Sequence, residues 1–75
     1  MFEQQLDRLD AIAEEVRREE DLRRYGPLPT EARLYVALAA NRVDLLINEG
    51  YTIAQALDRL GQHWTEAFIG RWSNR

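Results

Sequence analysis

Apolar side chains recur along this chain at helical spacings. Phe2, Leu6, Leu9, Ala13 and Val16 stand four, three, four and three residues apart, the seam of a helix over about residues 2 to 24 that would pack as in a coiled coil. The next seam positions are Glu20 and Arg23, so the stripe stops while the helix is expected to run on. Glu14/Arg18, Glu19/Arg23 and Glu20/Arg24, each four apart, lace its outer flank and read as a solvated helix face.

A second segment, about residues 31 to 48, is apolar around most of its circumference. Ala32, Tyr35, Val36, Ala39, Ala40, Val43, Leu46 and Ile47 form one broad arc, and Leu34, Leu38 and Leu45 form a second stripe beyond Arg42. Only Arg33, Ala37, Asn41, Asp44 and Asn48 remain for solvent. Such a helix needs neighbours on several sides, so it is predicted to be central and to be covered in part by a second copy. Arg42, caught between stripes, is expected to pair with a carboxylate of helix one, from Asp7, Asp10 or Glu14, in the same chain or in a dimer mate.

The third segment, about residues 53 to 72, carries Ile53, Ala56, Leu57, Leu60, Trp64, Ala67 and Phe68 on one arc. Because that phase survives Gly61, a continuous helix is predicted, with glycine costing about 1 kcal/mol relative to alanine. Two breaks separate the segments. At Tyr25-Gly26-Pro27-Leu28-Pro29-Thr30, glycine suits a C-cap, the prolines cannot continue a helix and Thr30 suits an N-cap. At Asn48 to Thr52, Gly50 ends one helix and Thr52 with Gln55 makes a capping box for the next.

The fold class expected is therefore all-α: one domain over 1–75, three helices with short loops, helix two central, assembled as a homodimeric bundle. At 75 residues the core is small and a second copy would help it. Absence of cysteine excludes disulfides, thiolate metal sites and cysteine chemistry, and absence of lysine excludes Schiff-base and phosphate-loop lysines. All ten basic residues are arginine, a usage that a GC-rich bacterial genome would also produce. Residues 1 to 28 hold eight acids and five arginines, and 29 to 75 hold five of each, so the net charge of −3 arises in the first segment. That balance disfavours nucleic acid as a partner. No apolar run approaches the roughly 20 residues needed to cross a bilayer, and Met1-Phe2-Glu3 has no basic start, so a cytoplasmic protein without membrane contact is expected.

Candidate chemistry is sparse. His63 and Glu66, three apart, reverse the order used in carboxylate-bridged metal sites, and no second histidine exists. Ser73 is the only serine, and the four glycines are isolated, so no catalytic residue, cofactor or metal is assigned. Residues 52–72 have the rhythm of a helix-turn-helix, but Leu57 stands where a small residue is usual, and Trp64, Glu66 and Phe68 around a single Arg71 suit DNA poorly.

Leu28 to Leu45, with Glu31 and the run Ala39-Ala40-Asn41-Arg42-Val43-Asp44-Leu45, loosely resembles the middle of the small enterobacterial haemolysin-expression modulators, helical proteins that bind a nucleoid protein. There the run reads Ala-Ala-Asp-His-Arg. This chain needs a one-residue gap, has Asn41 for Asp and lacks the lysines, and the resemblance covers about a quarter of the chain, so membership is not drawn from it. It implies a regulatory partner and adds only slight weight to one.

The function expected is non-catalytic protein-protein interaction, in which the acidic first helix or the Trp72 end meets another macromolecule; the alternative is a DNA-associated regulator using residues 52–72. Interface residues are expected at Phe2, Leu6, Leu9, Val16, Leu34, Leu38, Arg42, Leu45 and Trp72. Trp72 is placed there because Trp and Arg are enriched at interface hot spots.

Overall fold

The computed structural model describes residues 1–74 and contains four helices: α1 Phe2–Glu19, α2 Thr30–Ala39, α3 Val43–Asn48 and α4 Ile53–Trp72. The described residues form no strand, and no helix among them is long and apolar enough to cross a membrane. The all-α expectation holds, with different helix boundaries.

Helix α1 follows its seam, since Leu6, Leu9, Ala13 and Val16 are all buried, but it ends at Glu19 instead of about residue 24. Glu20 takes a left-handed conformation, φ 54°, and its N–H closes on the Val16 carbonyl. Beyond Val16 the seam offers only charge, so a longer helix would bury nothing more. The chain instead turns Tyr25 and Leu28 into the core. Of the three predicted pairs only Glu14/Arg18 forms, at 3.0 Å. Arg23 bonds Asp21 and Arg24 bonds Glu15, each at a distance set by the turn.

The predicted second helix is two helices. Asn41 has φ 58°, its N–H donates to the Leu38 carbonyl, and the Arg42 N–H donates to the Ala37 carbonyl. This paired closure is a Schellman motif with asparagine in the place usual for glycine. The same closure recurs at Gly50, whose N–H meets Ile47 O while Tyr51 N–H meets Leu46 O. Each apolar stripe is thus divided between two short helices with different neighbours. Helix α2 is central, packed against α1, α3 and α4. Leu34, Tyr35, Val36 and Ala37 are wholly enclosed, although the single-helix reading placed Ala37 in solvent. The coverage that reading assigned to a second copy comes from within the chain.

Helix α4 is not continuous. Gly61 has φ 83° and ψ 172°, a conformation open essentially only to glycine. Residues 53–60 and 62–72 are consequently separate helical arms. The Thr65 hydroxyl donates to the Leu57 carbonyl at 3.2 Å, whereas eight residues of straight helix would separate the two by roughly 12 Å. The arms therefore fold back on each other at Gly61. The predicted capping box at the start of α4 is present, Thr52 and Gln55 bonding reciprocally at 3.0 and 3.1 Å.

Candidate functional site

The most constructed polar site joins α1, α2 and the end of α4. Asp10 lies on α1 one position past the seam residue Leu9 and is the only buried charged side chain among the described residues, 6% exposed. Its Oδ1 accepts from the Tyr35 hydroxyl at 2.6 Å and from the Trp72 indole Nε1 at 2.8 Å. Its Oδ2 accepts from Arg71 Nη1 at 2.9 Å, and the same nitrogen donates to Asp7 at 2.8 Å. Arg71 also reaches the Glu3 carbonyl. Three donors from two other helices thus converge on one carboxylate, which is how a buried charge becomes tolerable.

Local sequence explains the convergence. Asp7 and Asp10 are three apart and share the edge of the α1 seam, while Arg71 and Trp72 are adjacent at the last turn of α4. Tyr35 sits mid-α2 with its ring edge-on to Trp64 and Phe68, centroids 5.8 and 6.0 Å away, which aims its hydroxyl at α1. Burial, then the bond to Asp10, pushes the Tyr35 hydroxyl above the ordinary phenol range, so it stays a donor. The Asp7 and Asp10 carboxylates hold the Arg71 guanidinium even more firmly protonated. These bonds clasp the end of α4 to α1 and α2.

A second polar cluster ties α2 to the end of α3. Arg33 grips Glu49 with both arms, Nε to Oε2 at 2.8 Å and Nη2 to Oε1 at 3.0 Å, and Nη1 donates to the Leu28 carbonyl. The Tyr25 hydroxyl donates to the same Glu49 at 3.3 Å. Burial, reinforced by the Glu49 charge, pushes Tyr25 up to about 12.

Several interface assignments are corrected here. Leu6, Leu9, Val16, Leu34 and Leu45 are buried inside the chain and present no surface to a partner. Leu38 is half-buried against the core, and Phe2 stacks on His63 at 4.3 Å and meets Trp64 edge-on. Arg42 does not reach helix one. It pairs with Asp44 at 2.8 Å, beside the α2–α3 turn, and the inter-helix pairing expected of it is made by Arg71 instead. Trp72 points its N–H inward to Asp10. His63 and Glu66, considered for a metal, are engaged with Phe2 and Gln62 respectively. Among the described residues no three metal-binding side chains gather.

Exposed apolar surface appears where it was not expected. Val43 and Ile47, one turn apart on α3, are 42% and 66% exposed, and Ile53 at the first turn of α4 is 49% exposed. The continuous-helix reading had placed all three on buried arcs. The left-handed potential of Asn41 re-phases α3 and accounts for the exposure of Val43 and Ile47.

No family model matches the chain, nor does any curated protein or solved structure.

Proposed function

We propose that this chain is a non-catalytic cytoplasmic interaction module, associating with a second copy and docking on a protein partner through the aliphatic corner of Val43, Ile47 and Ile53. The exposure of that corner carries the reading. β-branched side chains have little conformational entropy to lose on being covered, and exposed aliphatics one turn apart, as Val43 and Ile47 are, favour a partner over water. Two features support a binding role over catalysis. Every buried side-chain nitrogen and oxygen among the described residues already has a partner, and the Asp10 and Glu49 carboxylates each accept three hydrogen bonds, from arginine, hydroxyl or indole donors.

The DNA-regulator alternative gains a helix break at Gly61, but Arg71, the arginine described within 62–72, is engaged by Asp7 and Asp10. Little positive charge is left for phosphates. Sedimentation equilibrium tests the preferred reading. The native chain is expected at twice its 8.8 kDa mass, and Ile47→Asp with Ile53→Asp at 8.8 kDa with unchanged helicity. A native chain that stays monomeric at hundreds of micromolar, or a variant that dimerises equally well, overturns it.

A further inference from the structure

The far arm of α4 is attached unlike the rest of the fold. It leaves the near arm at a single residue, Gly61, around which a Cβ would find no atom within 4 Å, so the hinge stands in open space. None of residues 62–72 is fully buried; its inward side chains Trp64, Ala67, Phe68 and Trp72 are partly covered. No Cα of α1 lies within 8 Å of a Cα of α4. The hydrogen bonds and ring contacts between the arm and α1 are made by long side chains, Arg71 and Trp72 on the Asp7/Asp10 pair and His63 and Trp64 on Phe2. Its sequence also carries an alternative: with Gly61 helical, Leu57, Leu60, Trp64 and Phe68 lie along one stripe of a straight helix.

We infer that residues 62–72 are an exchangeable arm, and that a second copy of this chain supplies the same arm to the vacated face. Opening at Gly61 straightens α4 and uncovers Phe2, Tyr35 and the Asp10 carboxylate. The segment whose fit to that face is already shown is 62–72 itself, with Arg71 and Trp72 placed to complete the Asp10 site of the other copy. In a symmetric exchange every clasp contact reforms across the two chains, so the difference between closed monomer and exchanged dimer lies in the hinge and the new contacts near it. A one-residue hinge held in a glycine-only conformation favours exchange as soon as the closed geometry is strained. This exchange does not use the Val43, Ile47 and Ile53 corner and stands or falls separately from it.

The test replaces Gly61 in an Ile47→Asp background, which removes the corner as a route to association. Gly61→Ala strains the closed hinge but fits a straight helix, worth roughly tenfold per copy and so roughly a hundredfold lower dissociation constant for the dimer. Glu3→Cys with Gly70→Cys, joined by a flexible bis-maleimide because the Cα atoms of α1 and α4 stand too far apart for a direct disulfide, reports connectivity, since the two positions line one cleft between α1 and the arm and the chain has no other cysteine. Cross-linking is expected to give bonds within one chain when Gly61 is retained, and bonds between chains, seen as a dimer on a denaturing gel, in Gly61→Ala. A folded Gly61→Ala protein that remains at 8.8 kDa with only intrachain bonds overturns the exchange. Should Gly61→Ala fail to fold, the cysteine pair with native Gly61 is refolded dilute and concentrated, and both samples are brought to the same low concentration before cross-linking. Interchain bonds rising with concentration support the exchange, and intrachain bonds at every concentration overturn it.

Discussion

The α1–α2 layer and the far arm of α4 are built from similar apolar spacings and held by different physics. In the layer, Leu6, Ile12, Val16, Leu34, Tyr35 and Val36 are each less than 2% exposed and interdigitate directly. In the arm, partly exposed aromatic edges and one buried carboxylate do the holding. Close packing resists local opening because all its contacts must be lost together, whereas a clasp is lost when one group fails. Periodicity thus tells which face of a helix turns inward, and says little about how firmly it is held there.

That contrast can be tested from its strong end downward. Leu34→Ala should cost about 2–5 kcal/mol in urea unfolding, since its site is enclosed on all sides and cannot collapse freely; a cost under about 1 kcal/mol would mean the layer is no better packed than the arm. Asp10→Asn should cost about 2 kcal/mol, below the range for a fully buried pair because the Arg71 side chain is 26% exposed. Hydrogen exchange should then show faster opening in 62–72 with α1 and α2 still protected. Uniform loss of protection would make the clasp part of the core.

The Arg33–Glu49 cluster offers a smaller, pH-dependent probe. Tyr25 ionises only at about 12 in the fold, against 10 ordinarily, so folding favours its protonated form. Its contribution is complete below pH about 10 and is lost as pH rises toward about 12. Tyr35, also shifted upward, adds to the same decline. Tyr25→Phe should therefore remove about half of the alkaline slope in thermal melts, and an unchanged slope would show that Tyr25 ionises freely. Smallest of all, Arg42→Met should change stability by less than about 1 kcal/mol, because its bond to Asp44 is local and the Asp44 left behind is 59% exposed and free to turn to solvent. A larger loss would restore Arg42 to the inter-helix role that Arg71 occupies.

The sequence made the helical class, the α1 seam, the Gly50 terminus and the Thr52 box readable because each depends on neighbouring residues alone. It concealed the two breaks for one reason. Asn41 and Gly61 both interrupt helices whose apolar phase carries through the interruption, so periodicity registers no change where the backbone reverses. The clasp was half legible. Spacing alone points to a cation near Asp7 and Asp10 but selects Arg42, which the break at Asn41 leaves paired with Asp44 beside the α2–α3 turn. Arg71 becomes the partner once Gly61 turns the arm back toward α1, a long-range fact that no local spacing records.

The placement of the aromatic residues also has an optical consequence. Both tryptophans, Trp64 and Trp72, lie in the far arm, while Tyr25, Tyr35 and Tyr51 lie elsewhere. Tyr35 sits 5.8 Å from the Trp64 ring, close enough for its excitation to pass to the indole. Indole emission therefore reports the arm alone, and tyrosine emission regained from Tyr35 reports its separation from the layer. The native chain carries a two-colour gauge of its own opening, with no label to attach.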